Sequence, residues 1–321
     1  MKKAIEKFAD QFGWDPILEN ADSLKRHNKF IVVGMGGSNL SAGLLKAYDP
    51  AVDIMVHRNY GLPALGDKEL KERLLICSSY SGNTEEVLDA FGVAVKKKLA
   101  LVVISTGGKL LQLAKKELVP YIQIPDWDLE PRMAVGLNFM AMLRVMGKDS
   151  ELRDASNLSF GLQPADIEEE GKRLAKRLKG YVPVIYASSR YKAVAYNWKI
   201  KFNETAKIPA FFNVFPELNH NEMVGFDAKN SNKSLSDKFY FLILKNDDDH
   251  PKIVKRIGVL QELFEARGLP VETLDLKGNN KLERIFNSLI LADWTTYYVA
   301  EGCGVDPEDI SMVEEFKKLI K

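Results

Sequence analysis

The chain has 321 residues, of which 46% are hydrophobic and 28% are charged, and its formal net charge is +1. This balance is typical of a globular protein, and it argues against nucleic acid or an anionic membrane surface as the main partner. No uninterrupted apolar run is long enough to span a bilayer, and the charged start of the chain lacks the apolar stretch of a signal peptide. We therefore expect a cytoplasmic protein.

Cysteine and histidine are sparse. Cys77 and Cys303 lie far apart, so no disulfide framework is expected. The four histidines form no HxxxH or HExxH group; they are His27, His57, His220 and His250. These patterns indicate neither a zinc site nor any other resident metal.

The first half of the chain alternates apolar runs with helical patterns. Strands are predicted over residues 29–34, 52–57, 73–78, 99–106 and 119–124. Helices are predicted over residues 39–47, 84–97 and 109–117. Because the runs are rich in β-branched residues and do not alternate with polar ones, they are typical of parallel strands buried on both faces. The order of elements predicts a doubly wound α/β domain.

A helix from Arg132 to Met146 is expected to close this half, and the polar segment 147–165 is interpreted as a connection. A second unit then repeats the pattern. Its strands are predicted over 182–188, 210–214, 239–244 and 271–276, and its helices over 166–179, 190–205, 251–267, 281–300 and 307–320. We predict two tandem α/β domains, residues 1–150 and 151–321, the second ending in a helical tail.

The first strand runs into a glycine-rich turn, GMGGSNLSAG, at residues 34–43. The glycines either let the next helix pack closely on the strand or expose backbone N–H groups that bind an anion. A dinucleotide fingerprint fits poorly because Asn39 stands where its third glycine belongs. The P-loop pattern is also absent, since no GKS or GKT follows. The residues of this turn alone leave packing and anion binding open.

The third strand runs into a second turn, CSSYSGNTEE, at residues 77–86. Parallel strands end at one edge of the sheet, so both turns should open there, where ligands of such folds bind. Ser79, Ser81 and Thr84 can each donate an O–H group. A helix cap would explain one of these hydroxyl groups but not three. We predict a site for a monophosphate, and for a sugar phosphate rather than a nucleotide, because no magnesium ligands accompany it.

The second half supplies a candidate acid and base. Glu204 lies late in a predicted helix, where a solvated acid is the ordinary interpretation. His220 follows PEL and precedes NEMVGF; a lone histidine is most often structural, but this one is surrounded by polar residues. A carboxylate with an imidazole is the minimum set for moving a proton between two sugar carbons.

Five segments, in this order, resemble the archaeal-type bifunctional phosphoglucose/phosphomannose isomerases: GMGGS, SSYSGNTEE, EPRMA, KFNETAKI and PELNHNEMVGF. These enzymes belong to the phosphoglucose isomerase superfamily, whose members contain two sugar isomerase (SIS) domains. SYSGNTEE alone marks a SIS domain, including those of regulators. The last two segments narrow the resemblance, which extends through nearly the whole chain.

The resemblance implies a role for particular residues. Glu204 would carry a proton between C1 and C2, and Arg132 would stabilise the developing enediolate oxygens. His220 would open the pyranose ring from the neighbouring subunit, which implies a homodimer. No cofactor is implied. The substrate phosphate would be bound by Gly36, Gly37, Ser38, Ser79, Ser81 and Thr84.

The chain departs from the family pattern on its last long helix. Some members carry a lysine there, near the ring oxygen of the sugar, and Tyr298 aligns with that lysine. Thr295 and Thr296 are candidates for the space around C2 that an enzyme accepting both glucose and mannose epimers needs.

The leading hypothesis is an aldose–ketose isomerase that interconverts glucose 6-phosphate and mannose 6-phosphate with fructose 6-phosphate. A SIS-domain sensor of sugar phosphates is a second possibility, but no DNA-binding segment is visible. An aminosugar-phosphate isomerase or deaminase is a third. Such enzymes tend to use a lysine near the carboxyl terminus, and Lys317 and Lys318 lie on what reads as a solvated helix.

Overall fold

The computed structural model describes residues 1–227 and 232–320. It contains two compact units. The first unit is Lys7–Leu162, and the second combines Met1–Glu6 with the residues from Gln163 onward. Each unit is built on its own parallel sheet with helices packed against it, so the α/β class predicted from the sequence is confirmed.

The secondary structure is as follows. The strands are β1 Lys29–Val33, β2 Asp53–His57, β3 Leu74–Ser78, β4 Leu101–Ser105, β5 Tyr121–Gln123, β6 Val182–Ser188, β7 Phe211–Phe215, β8 Phe239–Lys245 and β9 Val271–Asp275. The α-helices are α1 Lys2–Glu6, α2 Gly37–Tyr48, α3 Asp67–Glu72, α4 Glu85–Lys96, α5 Gly108–Lys116, α6 Val135–Val145, α7 Asp149–Ser156, α8 Leu158–Gly161, α9 Pro164–Arg177, α10 Lys192–Glu204, α11 Glu222–Gly225, α12 Lys233–Ser236, α13 Pro251–Glu265, α14 Lys281–Cys303 and α15 Ser311–Leu319.

The sheet of the first unit has the strand order β2-β1-β3-β4-β5, and all neighbours are parallel. Every residue of β3 and β4 is buried, because helices cover both faces of the sheet. β1 pairs directly with β3, and Val33 lies opposite Cys77 at the carboxyl end of the pair. The turns that follow these two strands therefore start side by side, at the place where the strand order reverses.

The sheet of the second unit has the order β7-β6-β8-β9, again all parallel. This order matches β2-β1-β3-β4, so the two units share one topology. Aromatic rings fill the core on one face of the second sheet; the centroids of Phe241 and Phe264 are 4.5 Å apart, and those of Tyr186 and Phe241 are 5.7 Å apart. The tandem repeat predicted from the element order is present in the fold.

The segment 147–165, interpreted from the sequence as a polar connection, is mostly helical and forms α7 and α8. The buried residues of α7 and α8 are Leu152, Ala155 and Leu158, whose spacing of three residues matches one helical face. This face packs against α6 and a 3-10 helix at Phe8–Gly13. The compact units consequently divide between residues 162 and 163 rather than between 150 and 151, and α1 packs with the second unit.

Three helix boundaries matter for the site. α10 ends at Glu204 itself. α6 begins at Val135, so Arg132 lies in the turn before the helix and not within it as the pattern predicted. α14 is longer than predicted and continues to Cys303. In the described ranges, no helix combines the length and the apolar character needed to cross a bilayer.

Candidate active site

The turns after β1 and β3 are joined by hydrogen bonds. The backbone N–H of Tyr80 donates to Ser38 Oγ at 2.9 Å, and Ser78 Oγ donates to the Ser38 carbonyl oxygen at 3.0 Å. Ser38 is 5% exposed. The two turns that the sequence placed at one sheet edge therefore form a single structure.

Gly37 holds a third segment against these turns. A β-carbon at this position would lie 2.4 Å from the Pro131 carbonyl oxygen and 2.8 Å from the Arg132 nitrogen, so only glycine permits this approach. Arg132 is 1% exposed, and its Nη1 donates to Glu130 at 3.3 Å. The arginine thus comes to lie beside the glycine turn. Gly36, which precedes Gly37, is exposed and has a φ of +48°.

Hydroxyl groups of the second turn bond to each other. Ser79 Oγ and Thr84 Oγ1 are 2.8 Å apart, and the Gly82 N–H donates to Ser79 Oγ at 3.1 Å. Thr84 stands at the N-cap of α4, yet within the described residues its side chain forms no cap bond there. Helix capping therefore does not account for this hydroxyl. Ser81 is exposed, and its Oγ accepts from the Asn83 N–H at 3.3 Å.

A third turn, Ser105–Gly108, packs against the second, although sequence analysis did not single it out. Thr106 Oγ1 donates to the Tyr80 carbonyl oxygen at 2.7 Å. Gly82 has a φ of +69°, and a β-carbon on it would lie 1.9 Å from the Gly107 carbonyl oxygen. The signal was present in the sequence, because STGG follows β4 as other hydroxyl and glycine residues follow β1 and β3.

Asn39 has a structural role in the position where a third glycine was missing. Its Oδ1 accepts from Arg58 Nε at 3.1 Å and from Arg58 Nη2 at 3.0 Å. Its Nδ2 donates to the Gly34 carbonyl oxygen at 3.2 Å. The amide links the first turn to the residue that follows β2, which a glycine could not do.

Glu204 is the last residue of α10, in the second unit, and it is half-buried. Lys207 Nζ donates to the Glu204 carbonyl oxygen at 2.5 Å and also to the Asp309 carbonyl oxygen. One turn earlier in α10, Lys201 forms an ion pair with Asp293 of α14, and both side chains are fully buried. A cation at a helix C-terminus is favourable, and together these contacts fix the backbone that carries Glu204.

His220 ends a 3-10 helix at Glu217–His220, directly after the edge strand β7, and it is exposed. Leu218, two residues earlier, is fully buried in the aromatic core. The histidine is therefore presented outward from an anchored segment. It lies on a different element from Glu204.

The side chains of the three candidate residues on α14 form hydrogen bonds within the second unit. Thr295 Oγ1 donates to the Leu291 carbonyl oxygen at 2.7 Å, and Thr296 Oγ1 donates to that of Ala292 at 2.8 Å. The Tyr298 hydroxyl donates to the Glu168 carboxylate of α9, and its ring stacks on Trp294. Burial, together with this carboxylate, raises the pKa of Tyr298. Tyr298 is thus placed against α9 as a neutral donor.

In the described part of the chain, no group of three or more histidine, cysteine, aspartate or glutamate side chains is arranged to hold a metal ion. In the first unit the candidate groups are hydroxyl groups, backbone N–H groups and one arginine, which suit an anion. In the second unit they are one carboxylate and one imidazole, which suit a proton transfer.

Comparisons with known proteins extend these observations. The family of the bacterial phospho-glucose isomerase C-terminal SIS domain matches residues 167–320. The solved structure of tagatose-6-phosphate ketose/aldose isomerase from Escherichia coli has a TM-score of 0.69 with 15% identity, covering 96% of this chain and 94% of that one. At this identity the match establishes the fold.

Two curated relatives are closer in sequence. D-glucosamine-6-phosphate 4-epimerase from Sulfolobus acidocaldarius is 30% identical over 73% of this chain and 75% of its own length. Bifunctional phosphoglucose/phosphomannose isomerase from Aquifex aeolicus is 32% identical over 99% of this chain and 98% of its own length. With relatives of that name matching along most of its length, the chain belongs to the bifunctional phosphoglucose/phosphomannose isomerase family.

Proposed function

We propose that the protein is an aldose–ketose isomerase that interconverts glucose 6-phosphate and mannose 6-phosphate with fructose 6-phosphate. The observation that carries the proposal is the convergence of hydroxyl and glycine turns at the carboxyl edge of the first sheet, with Arg132 beside them. Such an edge suits one small dianion, and family membership indicates that the dianion belongs to a sugar phosphate.

The phosphate is bound by the first and second turns. Ser79 and Thr84 contribute hydroxyl groups that already lie 2.8 Å apart, and the exposed Ser81 adds a third. Ser38, Gly36 and Gly37 contribute the start of α2, whose N–H groups and dipole favour an anion. Fixing the phosphate orients the C1–C2 unit of the sugar for reaction.

The chemistry is ring opening followed by transfer of a proton from C2 to C1. His220 moves a proton between O1 and O5 to open the ring, because an imidazole can both accept and donate near neutral pH. Glu204 then takes the C2 proton of the aldose as the C1 oxygen acquires charge; the O2 proton passes to O1, and Glu204 returns its proton to C1 as the C2 carbonyl forms. Arg132 stabilises the developing enediolate without giving up its own proton. The scheme moves protons only, so it assigns no role to a metal or cofactor.

His220 is proposed to act in the active site of the partner subunit of a homodimer. Its exposure at the end of an edge strand supports this assignment. Thr295, Thr296 and Tyr298 are proposed to shape the space near C2 and the ring oxygen. We also propose a cytoplasmic location, because charged sugar phosphates do not cross an apolar bilayer unaided.

The first experiment incubates purified protein with each of the three sugar phosphates in the presence of EDTA. We expect interconversion, and we expect Glu204→Gln to reduce turnover by several orders of magnitude with little change in substrate affinity. Glu262→Gln, which alters an exposed acid on α13, is the matched control. Activity retained by Glu204→Gln, or a wild-type protein that converts none of the sugars, would contradict the proposal.

The homodimer is tested by mixing two inactive variants, Glu204→Gln and His220→Ala. If His220 serves the partner's site, half of the randomly mixed dimers contain one intact site, and about a quarter of wild-type activity returns. If both residues serve the site of their own chain, no mixture regains activity.

The epimerase relative supplies a second candidate function. Its name gives C4 of glucosamine 6-phosphate as the reacting centre. Incubating the protein with glucosamine 6-phosphate and examining the product by NMR distinguishes the two. A C4 epimer formed without exchange of the C1 and C2 protons with solvent would favour epimerisation.

A further inference from the structure

Glu222, two residues after His220, points toward the second sheet. Its Oε1 accepts a hydrogen bond from the Tyr186 hydroxyl at 2.6 Å, and its Oε2 accepts one from the Asn213 side-chain amide. Tyr186 lies on β6 and Asn213 on the neighbouring edge strand β7, paired with each other in the sheet register. The carboxylate therefore ties the loop after His220 to two strands.

The segment around His220 is also held by contacts that do not involve the Glu222 carboxylate. Leu218 is fully buried among the aromatic residues of the core. The Asn221 side chain closes the segment, because its Nδ2 donates to Glu217 at 2.7 Å and its Oδ1 accepts from the Glu222 N–H at 2.6 Å. The imidazole stands exposed between two anchors. The backbone on either side of it has little freedom to move.

The chemistry of this anchor is unusual for a surface loop. Tyr186 is fully buried, with its ring 6.2 Å from Phe215 and 5.7 Å from Phe241. Burial and the neighbouring Glu222 raise the pKa of Tyr186, so its hydroxyl remains a donor. A carboxylate directed at an aromatic core is costly unless donors meet it, and here two donors do. If this segment served only to connect two elements, the Glu222 carboxylate would be expected to lie in solvent.

We propose that Glu222, held by Tyr186 and Asn213, is the positioning residue that sets the location of the His220 imidazole for ring opening. This inference rests on the proposed function. It separates the two halves of the reaction, because the anchor acts on the ring-opening step and leaves the C1–C2 proton transfer by Glu204 untouched. Its loss should therefore slow the exchange of α and β anomers of the sugar phosphate.

The test substitutes Tyr186→Phe, which removes one hydroxyl group from the anchor and keeps the buried ring. Tyr240→Phe is the matched control, because the Tyr240 hydroxyl donates to Glu272 at 3.0 Å in the same unit but on β8, away from the His220 segment. Asn213→Ala provides a second variant from the other side of the carboxylate. Folding of each variant is checked by circular dichroism and thermal unfolding.

Three rates are measured for each protein: anomer exchange of glucose 6-phosphate by NMR exchange spectroscopy, isomerisation, and isomerisation of the C2-deuterated sugar. For Tyr186→Phe we expect anomer exchange to fall by about tenfold or more, the size of one hydrogen bond to a charged group. We expect KM to change little. The deuterium isotope effect should fall toward unity, because ring opening then limits the rate. Tyr240→Phe should match wild type in all three.

Anomer exchange that stays at the wild-type rate in Tyr186→Phe and Asn213→Ala would overturn the inference. Equal losses in Tyr186→Phe and Tyr240→Phe would also overturn it, since they would indicate a general effect on folding. The proposed function fails separately: in that case the wild-type protein itself does not interconvert the aldose and ketose phosphates.

Discussion

The carboxyl edges of the two sheets have the same topology but opposite chemistry. At the first edge, the turns after β1 and β3 carry glycines and uncharged hydroxyl groups, and Ser79 and Thr84 lie 2.8 Å apart. At the second edge, the equivalent turns follow β6 and β8, and Asp248 lies in the turn after β8. Three cations surround its carboxylate: Arg284 at 3.0 Å, Arg190 at 3.7 Å and Lys281 at 3.9 Å.

The difference indicates how the same topology can form a ligand site at one sheet edge and an internal ion-pair cluster at the other. The second edge contains both a carboxylate and its cations, so the charge of Asp248 is compensated within the chain. At the first edge Arg132 pairs with Glu130 at 3.3 Å, whereas the hydroxyl groups of Ser79 and Thr84 bond to each other and can also bond an anion from solution. A ligand site therefore requires more than the sheet edge that the topology provides. The donor groups of the turns must also not be paired with a carboxylate of the chain itself.

The largest expected effect tests the packing of the first edge. In Gly82→Ala the new methyl group meets the Gly107 carbonyl, and the residue keeps a φ of +69°. We expect a loss of about 3 kcal/mol in the free energy of unfolding, measured by urea titration, and a raised KM for the sugar phosphate. Gly180→Ala is the control, with a φ of +83° but no atom within 4 Å. Equal losses in the two variants would show that backbone strain alone, and not the contact with Gly107, is responsible.

A second prediction compares one serine from each of the two edges. Ser38→Ala removes a hydroxyl from the turn after β1, and KM should rise about tenfold as one bond in the phosphate site is lost. Ser189→Ala removes a hydroxyl from the turn after β6, where it donates to the Phe215 carbonyl at 2.7 Å. There we expect KM to stay within about twofold of wild type. Steady-state kinetics on both variants decides whether only the first edge binds substrate.

A third prediction attempts to convert the second edge into an anion site. Asp248→Ala removes the carboxylate shared by three cations, and we expect the free energy of unfolding to fall by about 1 kcal/mol, since the group is partly exposed. Millimolar sulfate should then raise the melting temperature of the variant more than that of wild type. Asp247→Ala, an exposed neighbour, is the control. An identical sulfate response in all three proteins would refute the idea.

The smallest expected effect is a loss of stability at alkaline pH, to which a buried tyrosine at each edge contributes. Burial raises the pKa of Tyr80 at the first edge and of Tyr191 at the second to about 12, from an ordinary value of 10.0. Because each folded-state pKa is the higher one, stability is complete below pH 10 and falls as pH rises toward 12. Substituting either tyrosine with phenylalanine should lessen that fall by about 1 kcal/mol or less near pH 11. Urea titrations at pH 8 and about pH 11 measure it.

Much of this architecture was predictable because it depends on local patterns. Buried β-branched runs predicted the strands, and hydroxyl residues after β1 and β3 predicted that the two turns would meet. The helical segment after Gly147 was not predicted, because its apolar residues are outnumbered by charged ones. The contact between Gly37 and Pro131 could not be predicted either, since it joins residues far apart in the sequence.

For the candidate site, residue types in their sequence context led to the proposal of Glu204 and His220. The contacts that hold the segments carrying these residues could not be predicted in the same way. Lys207 bonds to the Glu204 backbone, and Glu222 bonds to Tyr186; both look like ordinary surface charges in the sequence. Such contacts depend on tertiary packing, which periodicity does not encode.

The first helix has a consequence for synthesis. Residues 1–6 are synthesised before the first unit, yet the helices that α1 contacts are α9 and α14, which are synthesised only after that unit. About 150 residues of the first unit separate α1 from the rest of the second unit in the sequence. The contacts of α1 can therefore form only late in synthesis, although α1 itself is made early. An attempt to express residues 163–321 by themselves would leave that helix's binding surface bare.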